Sequence, residues 1–135
     1  ENIDLESWSF TGGLKNKYSK NRCVPIHSAI RDMISKRYHP EFKSLIYHNG
    51  SKRISEKEYR ESFNAALLAC GITELHTPHD CRHTFNDLLR RAKADDTCRY
   101  KMMGHYGNDI NQNVYTHLTV DDLRPEIEKI KVPTV

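Results

Sequence analysis

The chain has 135 residues and a mass of 15.8 kDa, enough for one domain with a core of its own and too little for two. Hydrophobic residues make up 37% and charged residues 29%, with a mean hydropathy of -0.76, which excludes a membrane-spanning helix, while 6 Gly and 5 Pro exclude collagen-like or low-complexity sequence. Lys and Arg number 21 against 18 Asp and Glu, a net charge of +3 with eight His besides, so binding to a polyanion would depend on where the charges sit rather than on their sum.

The opening run Glu1-Asn2-Ile3-Asp4 is acidic and polar, so no signal peptide is expected, and without an initiator Met the chain is expected to be a piece of a longer protein. Cys23, Cys70, Cys81 and Cys98 have no CxxC spacing, and reduced thiols in a cytoplasmic protein are the expectation.

The first quarter reads as strand. Ser7-Trp8-Ser9-Phe10-Thr11 alternates polar and apolar residues and is stopped by Gly12-Gly13. Arg22-Cys23-Val24-Pro25-Ile26 is a second strand, its Pro marking an edge or a strand end, and residues 2–5 can form a third. Between them, residues 14–21 form a polar connection carrying Lys15, Lys17 and Lys20. A small antiparallel sheet with a basic loop follows from this pattern.

Beyond it the period turns helical. Residues 28–37 place Ile30, Met33 and Ile34 on one face, and a short apolar run over 44–47 leads to a turn at Asn49-Gly50-Ser51. Ser55 and Glu58 have capping-box spacing and open a helix whose stripe is Tyr59, Phe63, Ala66, Leu67 and Cys70, closed by Gly71. Thr77-Pro78 starts another, running to about Lys93 with Cys81, Phe85, Leu88, Leu89 and Ala92 expected inside. Asp96 is expected to cap a short helix over 97–103 that Gly104 ends, and a further short helix is expected over 111–117. Thr119 opens the last, whose stripe of Val120, Leu123, Ile127 and Ile130 suits either the chain's own core or a neighbouring copy. There is no internal repeat and no interdomain linker. The fold class is α+β, a mainly helical domain over 1–135 with a small antiparallel sheet near its N-terminus.

His79 and Arg82, three apart at a helix start, project from one face and can grip a phosphate, Arg through two N–H donors and His through one. An ordinary surface His beside a salt-bridged Arg would look the same. His76, His79 and His83 with Cys81 raise the question of zinc, but HExxH is absent and His76 precedes the helix-starting Pro78, so a metal is not the favoured reading. Taken singly, Tyr115 reads as a packing residue and the lysine loop as a solvated turn or a non-specific phosphate contact.

Taken in order, these residues resemble the catalytic domain of the tyrosine recombinases, the phage-type integrases. Gly12-Gly13-Leu14-Lys15 through Pro25-Ile26-His27 is similar to that family's β-hairpin with its active-site Lys. Thr77-Pro78-His79-Asp80-Cys81-Arg82-His83-Thr84-Phe85 is similar to its H-x-x-R helix, Met103-Gly104-His105 to its L-G-H segment with Met for Leu, and Tyr115-Thr116-His117 to the segment around its nucleophile. The resemblance implies that Tyr115 attacks a DNA phosphate to give a 3′-phosphotyrosyl bond. It implies that Arg82 and His105 hold the phosphate oxygens, that His79 supports the phosphate and takes the Tyr proton, and that Lys15 protonates the leaving 5′-oxygen. Lys17, Lys20 and Arg22 are expected to contact DNA. Fixed cations stand where a metal ion would, so no cofactor and no metal are implied.

Double-stranded DNA is the implied partner, with a homotetramer on DNA for the full-length protein, no membrane, and a cytoplasmic, nucleoid-associated location. The family has an earlier active-site Arg before the first strand; neither Arg31 nor Arg37 stands in the matching context, and the family's amino-terminal core-binding domain has no counterpart in residues 1–135. This stretch alone is therefore expected to bind DNA weakly and to recombine little. A non-catalytic DNA-binding module using the basic hairpin and the His79/Arg82 helix is the alternative.

Overall fold

Three strands open the chain in the computed structural model, which describes residues 2–13, 21–42, 45, 47–48, 52–104 and 117–132. Strands β1 (Asn2–Asp4), β2 (Ser9–Gly12) and β3 (Arg22–Pro25) form an antiparallel sheet in that order, with Phe10 opposite both Ile3 and Val24. Asp4 fixes the turn between β1 and β2: its carboxylate accepts from the Glu6 N–H at 2.8 Å, the Ser7 N–H at 3.2 Å and the Ser7 hydroxyl at 2.7 Å. Pro25 ends β3, an edge strand, where its missing N–H removes no interior ladder bond.

A 3₁₀ turn (Ser28–Ile30) leads into α1 (Arg31–Arg37), and a two-stranded ribbon of β4 (Tyr47–His48) and β5 (Lys52–Arg53) leads into α2 (Glu56–Ala69). Then follow α3 (Pro78–Arg91), α4 (Asp96–Met103) and α5 (Val120–Ile127), which makes the domain mainly helical α+β as the sequence indicates. The helix starts obey local chemistry. Ser55 Oγ accepts from the Glu58 N–H at 3.2 Å while Glu58 accepts from the Ser55 N–H at 2.7 Å, and Thr119 and Asp122 repeat the exchange at 3.4 and 2.7 Å.

The cap of α4 is Asp95 rather than Asp96. Asp95 Oδ1 reaches the Cys98 N–H at 3.0 Å, whereas the Asp96 carboxylate is held by Arg99 at 2.8 Å. Residues 111–116 of the helix expected over 111–117 and the turn at 49–51 lie outside the described residues, and His117 is in a bend.

The core lies where α4 and α5 pack on β3 and α3 packs on α4. Val24, Leu89, Cys98, Met102, Leu123 and Ile127 fill it, and Leu89 has no exposed surface at all, a burial worth roughly 1.5–3 kcal/mol. Leu123, Ile127 and Ile130 all enter this cluster, so the stripe of the last helix packs on its own chain. Glu128 then clasps the chain shut, accepting from the Ser28 N–H at 2.9 Å and the Ser28 hydroxyl at 2.6 Å, with Arg31 at 3.7 Å. Beside it, His27 Nδ1 accepts from the Ala29 N–H at 3.0 Å, which leaves the proton on Nε2 to be donated to the Ile130 carbonyl at 3.1 Å. All four cysteines are free.

Three expectations about burial need correction. On α2, Tyr59, Phe63 and Leu67 are only half-buried, and Ala66 and Cys70 are exposed. On α1 and the turn before it, Ile30 is 40% and Met33 64% exposed. On α3, Cys81 is exposed and Leu88 is 40% exposed, because Leu89 rather than Leu88 enters the core cluster. No described side chain of α1 or α2 belongs to the buried cluster. A helical period establishes that a face is apolar; it does not say what covers it.

Candidate active site

The site grows from the first turn of α3. Pro78 stands at the first helical position, where its missing N–H costs nothing. Asp80 reaches back to accept from the Thr77 N–H at 2.8 Å and the Thr77 hydroxyl at 3.3 Å, and the Thr77 N–H is the main cause that holds its carboxyl below the usual range. The electropositive start of α3 is thus filled by the chain's own carboxylate, so an external anion has to be met by side chains.

Arg82, expected to grip a phosphate, is the next candidate along the helix. One turn into α3 and half-buried, it donates from Nη2 to the carbonyl of Met103, the last residue of α4. That carbonyl is among the four at a helix C-terminus with no intrahelical partner, and a guanidinium there also meets the negative end of the helix dipole. Gly104 follows with φ +62°, a left-handed conformation that costs glycine nothing, and reverses the chain directly ahead of His105. Arg82 lines a cavity of about 860 Å³ together with Gly12, Gly13 and Arg22, the residues flanking the basic loop, and with Met103.

The structure therefore brings Arg82, Arg22 and the base of the hairpin to one hollow. His79 does not line it. Its exposed ring rests edge-on against His83, centroids 4.9 Å apart, and His76 lies 3.7 Å from the Asp80 carboxylate. Lys15, Lys17, Lys20, His105 and Tyr115 lie outside the described residues. Among the described residues, no three His, Cys, Asp or Glu side chains converge where an ion could sit. Arg53 also lines the cavity and was not foreseen; the adjacent Lys52 and Arg53 just before the Ser55 cap were the available signal.

The model of the phage integrase family matches residues 2–121. The chain belongs to that family. The match runs from β1 into α5 and so spans the hairpin, the α3 motif and the Gly104 turn that frame the cavity. The chain is also 28% identical over 136 aligned positions to tyrosine recombinase XerC of Thermodesulfovibrio yellowstonii, covering 90% of this chain and 45% of that protein. It thus spans about half the length of that relative. No solved structure matches it significantly. No described helix is long and apolar enough to cross a membrane.

Proposed function

We propose that residues 1–135 carry the catalytic chemistry of a site-specific DNA recombinase that cuts and rejoins strands through a protein–DNA covalent bond. The observation that carries this reading is the placement of Arg82. Its guanidinium is tied to the Met103 carbonyl at the end of α4 and lines a hollow shared with Gly12, Gly13 and Arg22 of the hairpin. Arg22, Arg53 and Arg82, from three separate parts of the chain, line that hollow, and positioned cations of this kind are what a phosphate in a trigonal-bipyramidal transition state requires.

In this reading the Tyr115 hydroxyl oxygen attacks phosphorus, the bond to the 5′-oxygen breaks, and a 3′-phosphotyrosyl bond forms. The phenol proton passes to His79, whose ring has to leave its contact with His83 to reach the hollow, and Lys15 gives a proton to the departing 5′-oxygen. Arg82 and His105 stabilise the charge on the non-bridging oxygens. Reversal with a different 5′-hydroxyl rejoins strands without an external energy source, because the covalent bond conserves the phosphodiester. Lys17, Lys20 and Arg22 track the backbone of double-stranded DNA, and recombination proceeds in a homotetramer on DNA in the cytoplasm.

The test is covalent capture. The full-length protein is incubated with a pool of nicked duplexes of randomised sequence, whose nick lets the released 5′-hydroxyl fragment diffuse away, and the products are run under denaturing conditions. Protein-linked DNA with a free 5′-hydroxyl is expected. Salt-sensitive binding with no covalent product would leave a DNA-binding module and overturn the catalytic reading.

A further inference from the structure

We propose that Asn86 and Arg99 form a register pin between α3 and α4 that positions the Arg82 guanidinium. The inference rests on the catalytic reading of Arg82 given above and adds two residues that no motif pointed to. Asn86 lies four residues after Arg82 on α3, one helical turn along the same face; Arg99 lies four residues before Met103 on α4. Arg99 Nη1 donates to Asn86 Oδ1 at 2.8 Å, and Arg82 Nη2 donates to the Met103 carbonyl. The two bonds are rungs of one ladder between oppositely directed helices, a single turn apart on each.

Arg99 is built for such a role. It is only 9% exposed, although it is an arginine. Its Nε and Nη2 both bond Asp96 Oδ1, at 3.2 and 2.8 Å, and its guanidinium lies 4.5 Å from the Tyr100 ring centre. The head group is thus fixed from its own helix before it reaches across, and the planar fork loses little freedom in making the cross-helix bond. The apolar contacts beside it, Leu89 and Met102, hold the helices together but have no directional preference and tolerate a slide along the axis. A hydrogen bond does not tolerate it. With the pin in place, the Met103 carbonyl arrives within reach of Arg82; without it, α4 can shift and Arg82 loses its anchor.

Asn86 and Arg99 do not line the hollow that Arg82 enters, so they act as positioning residues, and the consequence falls on rate rather than affinity. A displacement of about 1 Å at a phosphate-gripping group costs on the order of 10²-fold in rate.

The experiment compares the full-length wild type with Arg99→Met, Asn86→Leu, the double variant and Arg99→Lys. Duplexes captured by the wild type from the randomised nicked pool serve as substrate. Single-turnover adduct formation is expected to fall about 10–100-fold in each single variant, with the dissociation constant within about 3-fold of wild type. The double variant is expected to be no slower than the slower single one, and Arg99→Lys to recover part of the loss. The exchange protection of the Arg82 guanidinium protons, read by NMR, is expected to fall with the rate. Unchanged rate and unchanged Arg82 protection overturn the pin, as does affinity falling in step with rate. If the wild type forms no adduct, the catalytic reading fails instead, and Arg82 protection still decides whether the pin exists. Should Arg99→Met fail to fold, Asn86→Leu, which leaves the Arg99–Asp96 pair intact, decides the matter by the same readouts.

Discussion

Cys98 reports whether α4 is seated as described, and hence whether the Met103 carbonyl is where Arg82 needs it. The thiol is 7% exposed within the core, and burial, reinforced by the negative charges of Asp95, Glu126 and Asp122, pushes its pKa up to about 11. At about pH 8 a thiol of pKa about 11 is roughly 10⁻³ ionised, against roughly a quarter for an ordinary thiol of pKa about 8.5. The greater nucleophilicity of the high-pKa thiolate gives back about 10-fold, leaving ionisation alone to slow Cys98 by roughly 20-fold. Access slows it further: the reagent must wait for α4 to lift from β3 and α5, and every ~1.4 kcal/mol of opening cost removes about another factor of ten.

Iodoacetamide labelling followed by peptide mass spectrometry measures each site separately. Cys70 and Cys81, both exposed, are expected to label first, Cys98 at least about 20-fold later, and all alike in denaturant. Native Cys98 labelling at the rate of Cys70 would show that α4 is not packed on the core, and the geometry drawn around Arg82 would fall with it.

Leu89→Ala removes a side chain with no exposed surface at the meeting of α3 and α4 and is expected to cost about 3–5 kcal/mol, lowering Tm in a circular-dichroism melt by roughly 10–18 °C; a change under a few degrees would deny Leu89 its place. Burial raises the Glu128 carboxyl, but the Ser28 hydrogen bonds and the Arg31 charge outweigh it and hold its pKa below the usual 4.5. A depressed carboxylate stabilises the fold above its unfolded pKa and loses that contribution as pH falls through the folded value. Glu128→Gln should therefore be less stable than wild type at neutral pH, and the gap should close in denaturant titrations as pH falls from the unfolded value through the lowered folded one. Lys15→Ala is expected to slow cleavage by on the order of 10²–10⁴-fold, the range for a lost general acid. A 5′-bridging phosphorothioate, whose leaving group needs no proton, should restore much of that rate, and failure to rescue would make Lys15 a phosphate contact only.

The parts of the fold visible in the sequence are those fixed over a few residues. Gly12-Gly13 ends β2, Ser55 with Glu58 and Thr119 with Asp122 start helices, Pro78 opens α3 and Gly104 closes α4, because each acts on backbone groups within one turn. Choosing between Asp95 and Asp96 required knowing that Arg99 would take the second carboxylate. The exposure of Met33 and Cys70 was not legible, since it depends on which elements meet. The same division runs through the site. Arg82 was singled out by its spacing to His79 and its resemblance to a known motif, and the structure sets it at the hollow. Its partner was not legible, because a backbone carbonyl at Met103 leaves no trace in the choice of residue. Nothing in the sequence marked Arg99; the structure places it opposite Asn86.

The central claim is that this chain forms a covalent bond to DNA through one tyrosine. The most direct measurement is to trap the full-length protein on nicked duplex, digest both partners, and locate the nucleotide-bearing peptide by mass spectrometry. The account predicts that the modified residue is Tyr115 and that Tyr115→Phe abolishes the adduct while DNA affinity changes little. An adduct that maps to Tyr100 or Tyr106, or that survives Tyr115→Phe, would contradict it.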